Sequence, residues 1–182
     1  MSVTTEQSLN GTYTADPIHS TFAFAVKYMG VSTFRGTLDE VQATVDATSG
    51  EPMIKGSAKV ESISIRTPEQ FRQHVLSDDF FAAEKHPEIT FNSTKVELRE
   101  DGTAHVEGEL TIKGVTKPTN ATGEWAPPTE DAMGNTRAHL HLETKLNRHD
   151  FGISWNAPLP KGGNALADDV SLTIDAALVA QA

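Results

Sequence analysis

The sequence predicts an all-β fold, one antiparallel sheet closed into a barrel, on three observations. Apolar and polar residues alternate at period two over most of the chain beyond Tyr13, the mark of strands with one buried and one wet face. Turn signals recur between these runs: Ser49-Gly50-Glu51-Pro52, Glu100-Asp101-Gly102, Ala126-Pro127-Pro128 through Asn135, and Lys161-Gly162-Gly163-Asn164. Several runs also change phase partway, as β-bulges would make them, and bulges bend and twist strands toward closure.

Taken in order, Phe22, Phe24, Val26 and Tyr28 share one strand face, with Ala23, Ala25 and Lys27 opposite. The apolar set then jumps parity between Leu38 and Val41, Ala43 and Val45, and again between Val60 and Ile63 within the run Ile54–Ile65. A third jump separates Ile89 and Phe91 from Val96 and Leu98. Val106, Gly108, Leu110 and Ile112 oppose His105, Glu107, Glu109 and Thr111, while Leu140 and Leu142 oppose His139, His141 and Glu143. Val170, Leu172, Ile174, Ala176 and Leu178 form the longest apolar face.

One segment, near residues 67–83, breaks the strand pattern. Thr67-Pro68-Glu69-Gln70 reads as an N-cap, a proline at the first helical position and a capping-box glutamine. A short helix carrying Phe71, His74 and Val75 should follow, then a second turn from Ser77-Asp78-Asp79 bearing Phe80 and Phe81, ended by Pro87. The turn spacing leaves no linker, so the expected organisation is a flexible segment 1–11 and one barrel domain, 12–182.

Composition narrows the function. A chain of 182 residues can bury roughly 70% of its unfolded surface. No apolar run approaches the ~20 residues of a membrane-spanning helix, so stable membrane insertion is not expected. With 25 acidic against 15 basic residues, the formal charge of −10 disfavours nucleic acid. Without cysteine there is no thiolate nucleophile and no Cys-based zinc site. The polar start, Met1–Gly11, lacks the basic and apolar regions of a secretory signal, which leaves either a cytoplasmic protein, the expectation favoured here, or one from which a leader has been cut.

The alternating faces leave two readings of the interior. Phe22, Phe24, Phe91, Leu110, Ile112, Leu140 and Leu142 either pack as a solid core or line a ligand cavity. Small residues on the same faces, Ala58, Gly108 and Ala176, leave room for a ligand. His19 with Asp16 and Ser20 is too tightly spaced on one strand start for a hydrolytic triad, and no Gly-x-Ser-x-Gly elbow is present. His19 is expected to satisfy backbone groups near a barrel end. His139 and His141, two apart on a wet face and followed by Glu143, have a spacing that can hold a divalent ion, but solvated histidines are the commoner case. No metal and no catalytic residue is assigned. Trp125 and Trp155 read as packing residues.

Four motifs in order resemble the YceI-like family, over about Tyr13 to Val179. They are Tyr13-x-x-Asp16-Pro17-x-His19-Ser20; Ser77-x-Asp79-Phe80-Phe81 followed by Pro87-x-Ile89-x-Phe91-x-Ser93-Thr94; Gly108-x-Leu110-Thr111-Ile112-x-Gly114-Val115-Thr116; and Asn147-Arg148-x-Asp150-Phe151-Gly152. The resemblance implies an elongated, lipocalin-like barrel that binds a polyisoprenoid in its lumen, without cofactor and without catalysis. The ligand would be a polyprenyl chain, phosphorylated or not, or a quinone tail. It implies an apolar lining of Phe22, Phe24, Val26, Ile63, Phe80 and Phe81, continued by Phe91, Leu110, Ile112, Leu140, Leu142 and Ile174. A phosphate head would draw on Arg35, Arg66, Arg72 or Arg148, although for any one of them a surface ion pair is the commoner case among so many carboxylates, and Arg148 can instead hold the Asp150–Gly152 turn. A homodimer is compatible with the resemblance, and relatives are often exported. Where many relatives have an Arg-Asp pair ahead of the helix histidine, this chain has Phe71-Arg72-Gln73-His74. The rival readings are a ligand-free structural or stress-related barrel and, more remotely, a metal-dependent enzyme on the His139 and His141 face.

Overall fold

The period-two runs fold as ten antiparallel strands within residues 8–182, the part of the chain that the computed structural model describes. The first seven residues of the expected flexible segment lie outside the described residues. The strands are β1 (Thr12–Ala15), β2 (Thr21–Tyr28), β3 (Ser32–Thr37), β4 (Val41–Asp46), β5 (Met53–Lys59), β6 (Glu88–Leu98), β7 (Thr103–Ile112), β8 (Val115–Glu130), β9 (Thr136–Asn147) and β10 (Leu166–Ala180), with one helix, α1 (Glu69–Leu76), between β5 and β6.

Pairing runs β1-β4-β5-β6-β7-β8-β9-β10, and β10 returns to β1, closing an eight-stave antiparallel barrel. β10 pairs with β1 through Leu178–Ala180 and with β2 through Leu166–Asp175, along the same edge. β1 and β2 are therefore one stave broken at residues 16–20. Closure leaves the backbone of β10 no open edge.

Of the three phase jumps, the one in β6 is a bulge, where the register with β7 shifts between Ser93 and Lys95. The Ser93 hydroxyl there accepts the Ile54 N–H at 2.7 Å, a bond made in the interior. The other two jumps are chain breaks rather than bulges. β5 ends at Lys59 and a 3₁₀ turn, Val60–Ser62, carries the chain off the sheet. β3 ends at Thr37, and Leu38 bridges Ile63 before β4 begins. Alternation alone does not distinguish a bulge from a strand end, because both reset the side-chain parity.

Two further expectations are corrected. Pro68 is the N-cap of α1, and among the described residues no side chain at that position caps the helix; Thr67 lies one residue too early for its hydroxyl to reach the free amides. Support comes instead from Gln73 Nε2, which donates to Glu69 Oε1 one turn away at 2.6 Å. β8 does not turn at Ala126-Pro127-Pro128 but runs on to Glu130 through a register shift between Ala126 and Thr129. The prolines fall where ladder bonds are already interrupted, and the turn itself is Asp131–Asn135, organised by Asp131, whose carboxylate accepts the Met133 and Asn135 amides.

Candidate ligand-binding site

The ladder registers decide which side chains face inward. Phe22, Phe24 and Val26 stand opposite Ile174, Leu172 and Val170 of β10, and Ile174 stands opposite Leu142 of β9. β3 continues this wall with Phe34 opposite Val26 and Gly36 opposite Phe24. Across the lumen, Phe91 lies between Gly56 and Leu110, and Ile112 faces Val115.

Two glycines let large rings lie against the wall. A Cβ on Gly36 would stand 2.4 Å from the Phe24 ring, and one on Gly108 would stand 2.4 Å from the Phe91 ring. The rings occupy the space the missing side chains leave, as aromatic residues do over strand glycines.

Packing differs along the barrel. At one end, called here the Trp125 end, Tyr13, Val45, Val106, Leu140, Leu142 and Leu178 are fully buried, with Leu9 and Trp125 packed against them. A void of about 10 Å3 is left among Leu9, Val45, Ile54 and Trp125. The opposite wall behaves otherwise. Phe22, Phe24, Val26, Phe34, Leu172 and Ile174 all face inward, and all remain only half-buried.

The other mouth, the helix end, is covered by the α1 segment and the chain after β9. Ile63, Ile65 and Val75 pack with Phe24, Phe34 and Phe81. Leu110, Ile112, Phe151 and Ile153 pack with Phe80, Phe81 and Phe91, so Phe81 joins the two groups. Outside them His74 stands edge-on to Phe80 and to Trp155, with centroids 5.1 and 4.7 Å away, and His74 is oriented by Asp79 at 2.9 Å. Trp155 thus lies at a barrel end.

The candidate lining residues are therefore distributed. Leu140 and Leu142 belong to the packed Trp125 end, Leu110 and Ile112 to the helix-end core, and Ile63, Phe80 and Phe81 to the mouth cover, while Phe22, Phe24, Val26, Phe91 and Ile174 form half-buried wall. Phe34 and Leu172 share that wall and were missed, although the alternation Thr33-Phe34-Arg35 was a signal for the first. A half-open recess of about 1450 Å3 lies at the Trp125 end, among Pro52, Met53, Val96, Leu98, Arg99 and Trp125. It exists because β5 and β6 are paired only through Lys55–Lys59 and Glu88–Asn92 and part beyond the Ser93 bulge. None of the twelve candidate lining residues borders it.

The four arginines are not gathered. Arg35 points outward from β3, opposite Ala25. Arg66 pairs with Asp39 at 2.9 Å on the surface. Arg72 donates to the carbonyls of Glu61, Ile63 and Ile65 at 2.6–3.2 Å, fixing the segment that leaves β5. Arg148 is 5% exposed and donates to the carbonyls of Ala167, Ile153 and Trp155 at 2.8–2.9 Å, holding the turn after β9 against β10. Among the described residues its Nη2 has no hydrogen-bond partner, and Asp168 stands 3.9 Å away. Burial pushes this guanidinium below its ordinary pKa.

His19 does not satisfy backbone groups. It is largely exposed and bonds Asp16 at 2.7 Å, while Asp16 and Ser20 accept the backbone amides of Ile18 and Ala177. Hydrogen bonds from His19 and Arg137 hold the Asp16 carboxyl far below the usual carboxylate range. On the outer face of β9, His141 lies between Asp175 (2.7 Å) and Glu143 (3.3 Å), whose carboxylates raise its pKa, and His139 stands 3.7 Å from Asp175. Among the described residues no group of three or more side chains is arranged to hold a metal ion, and no helix is long and apolar enough to cross a membrane.

Comparison with known proteins agrees with this architecture. The chain is 29% identical over 167 residues to the UPF0312 protein SA2479 of Staphylococcus aureus (strain N315), covering 90% of this chain and 95% of that one. Among solved structures, BcnA of Burkholderia cenocepacia superposes with a TM-score of 0.71 at 20% identity, over 92% of this chain and 99% of BcnA. A polyisoprenoid binding domain of Saccharophagus degradans superposes with a TM-score of 0.63 at 14% identity, over 93% and 98%. The family model for the YceI-like domain matches residues 13–178, so the chain belongs to the YceI-like domain family.

Proposed function

We propose that the barrel is a binding module that holds an isoprenoid-type lipid in its lumen, entering from the helix end, and that it catalyses no reaction. The observation that carries this reading is the half-buried inward wall of β2, β3 and β10. Apolar side chains on the inside of a closed barrel are left short of partners there, and each further Å2 covered by a prenyl chain would contribute roughly 25 cal/mol. Membership of the YceI-like family supports the reading, as does likeness to a fold that in S. degradans is described as binding polyisoprenoid. The buried layer of Tyr13, Val45, Leu140 and Leu178 would separate the lumen from the recess at the Trp125 end and stop the chain from running through the barrel, so the ligand's tail points toward Leu140 and Leu178 and its head toward α1. Arg66, on the segment between β5 and α1, is the guanidinium group we assign to a phosphate head, which would take the place of its surface partner Asp39.

Calorimetric titration with farnesol and with farnesyl phosphate tests the reading. Saturable binding of either, abolished by Ile174→Trp, which fills the wall without adding charge, is the expected result. Equal heats for wild type and Ile174→Trp, or none for the wild type, would sink it. Tighter binding of the phosphate that Arg66→Gln removes would establish the head position.

A further inference from the structure

Carboxylates are unevenly spread along this acidic chain. The two longest stretches without Asp or Glu are residues 17–38 and 151–167. The fold brings them together at the helix end: Tyr28 pairs with Leu166, and the Met29 amide donates to the Ala165 carbonyl at 2.7 Å. The joint lip consists of the β2–β3 tip, Met29-Gly30-Val31, and the loop closed by the Pro158 and Asn164 bridge.

The lip is both apolar and basic. Val31 is 84% exposed, and Tyr28 and Met29 are nearly half exposed. Met29 holds a left-handed φ of 53°, a conformation costing an L-residue roughly 1–2 kcal/mol, and its side chain stays nearly half exposed. Lys27 and Lys161 flank these side chains in solvent. The nearest carboxylates along β10 are Asp168, engaged by His149 at 2.7 Å, and the exposed Asp169, in the bulge between Leu166 and Val170 behind the tip that carries Met29 and Val31. At physiological salt charges act over ~8 Å, so an approaching surface meets the local sign of the lip before the net charge of the chain.

We propose that this lip docks on an anionic lipid bilayer, with Tyr28, Met29 and Val31 entering the interface and Lys27 and Lys161 facing the head groups. The inference rests on the reading of the barrel as an isoprenoid binder, whose ligand resides in membranes, and sets the mouth of the lumen against its source. Apolar side chains at an interface beside basic ones are the combination by which peripheral proteins bind membranes. A bilayer is favoured over a second copy of the chain because a copy would bring its own lysines against these.

Flotation of the whole protein with vesicles tests this, using phosphatidylcholine mixed with phosphatidylglycerol against phosphatidylcholine alone. The expected result is flotation with the anionic vesicles only, weakened by salt. Val31→Glu should reduce the partition about tenfold or more, and Lys27→Glu with Lys161→Glu should abolish it, all with unchanged melting and unchanged farnesol titration. Failure of the wild type to float, equal flotation with both vesicle types, or a Val31→Glu variant that floats normally would overturn the proposal. So would a variant whose only change is loss of self-association. Because farnesol binding in solution is read separately, loss of docking and loss of ligand binding are distinguishable.

Discussion

Gly36→Ala probes the link between wall packing and lumen space. The new Cβ would stand 2.4, 2.7 and 3.3 Å from three atoms of the Phe24 ring, and no backbone atom is among the three nearest. The ring must recede by about 1 Å or more to regain ordinary carbon–carbon contact. Its wall side is then occupied, so it swings inward. Overpacking of this kind costs ~1 kcal/mol or somewhat more, a fall of roughly 2–4 °C in melting temperature for a domain of this size. The lumen loses space where the ligand would lie, and prenyl affinity should fall about tenfold, as if the burial of one or two CH2 groups were lost. Gly108→Ala supplies the contrast. There the Cβ meets the Phe91 ring at 2.4 Å and also the Asn92 carbonyl oxygen at 2.5 Å. A backbone atom on the paired strand cannot step aside, so the cost should reach about 2–3 kcal/mol. Thermal melts and farnesol titrations read both quantities. A Gly36→Ala protein with unchanged melting and unchanged affinity, or one that melts lower than Gly108→Ala, would refute the reasoning.

Other perturbations follow from the same contacts. Arg148→Met leaves the carbonyls of Ala167, Ile153 and Trp155 without their donor, and should cost about 3 kcal/mol in denaturant unfolding; a loss below about 1 kcal/mol would mean the turn is held by other means. Ser93→Ala leaves the Ile54 N–H unpaired in the interior and should cost roughly 1–2 kcal/mol, whereas Ser171→Ala, on the exposed side of β10, should cost almost nothing. His141 has a folded pKa raised chiefly by its bond to Asp175, so its contribution to stability is fully present below the unfolded value of ~6.5 and is lost as pH rises through the folded value. Melting of wild type minus His141→Gln should therefore shrink with rising pH; a difference independent of pH contradicts this. Asp16 behaves oppositely: its carboxyl is depressed by His19 and Arg137, so its contribution is present above ~3.9 and lost as pH falls below it, and Asp16→Asn should flatten the acid limb of the stability profile.

The barrel was legible because period-two alternation survives in β2, β7, β9 and β10, whose apolar faces need a shared interior, although the longest strand, β8, carries Lys117 and Thr119 among its alternate positions and shows no such run. The β6 bulge was legible for the same reason, since Phe91 and Val96 differ in parity. The breaks after Lys59 and Thr37 were not distinguished from bulges, because a 3₁₀ turn resets parity just as a bulge does. Pro127 and Pro128 read as a turn; their tolerance at an interrupted ladder depends on the register of β9, which is non-local. The division of the lining residues between packed core and half-buried wall was likewise invisible. Leu140 and Phe24 look alike in sequence, and only the registers bring Leu140 to the end closed by Tyr13, Trp125 and Leu178 while leaving Phe24 over Gly36. The arginines divide: the sequence next to Arg148 already offers a turn for it to hold, and it donates to Ile153 and Trp155 just beyond that turn, whereas nothing local to Arg72 reveals that the carbonyls of Glu61, Ile63 and Ile65 claim its donors.

The most direct test of the central claim is native mass spectrometry of gently purified protein, followed by organic extraction and identification of what is released. The account requires an isoprenoid at close to one per barrel, displaced by added farnesyl phosphate and absent from Ile174→Trp. Protein that carries no lipid and takes up none when prenyl lipids are offered would contradict it and leave a barrel whose inner wall is simply wet.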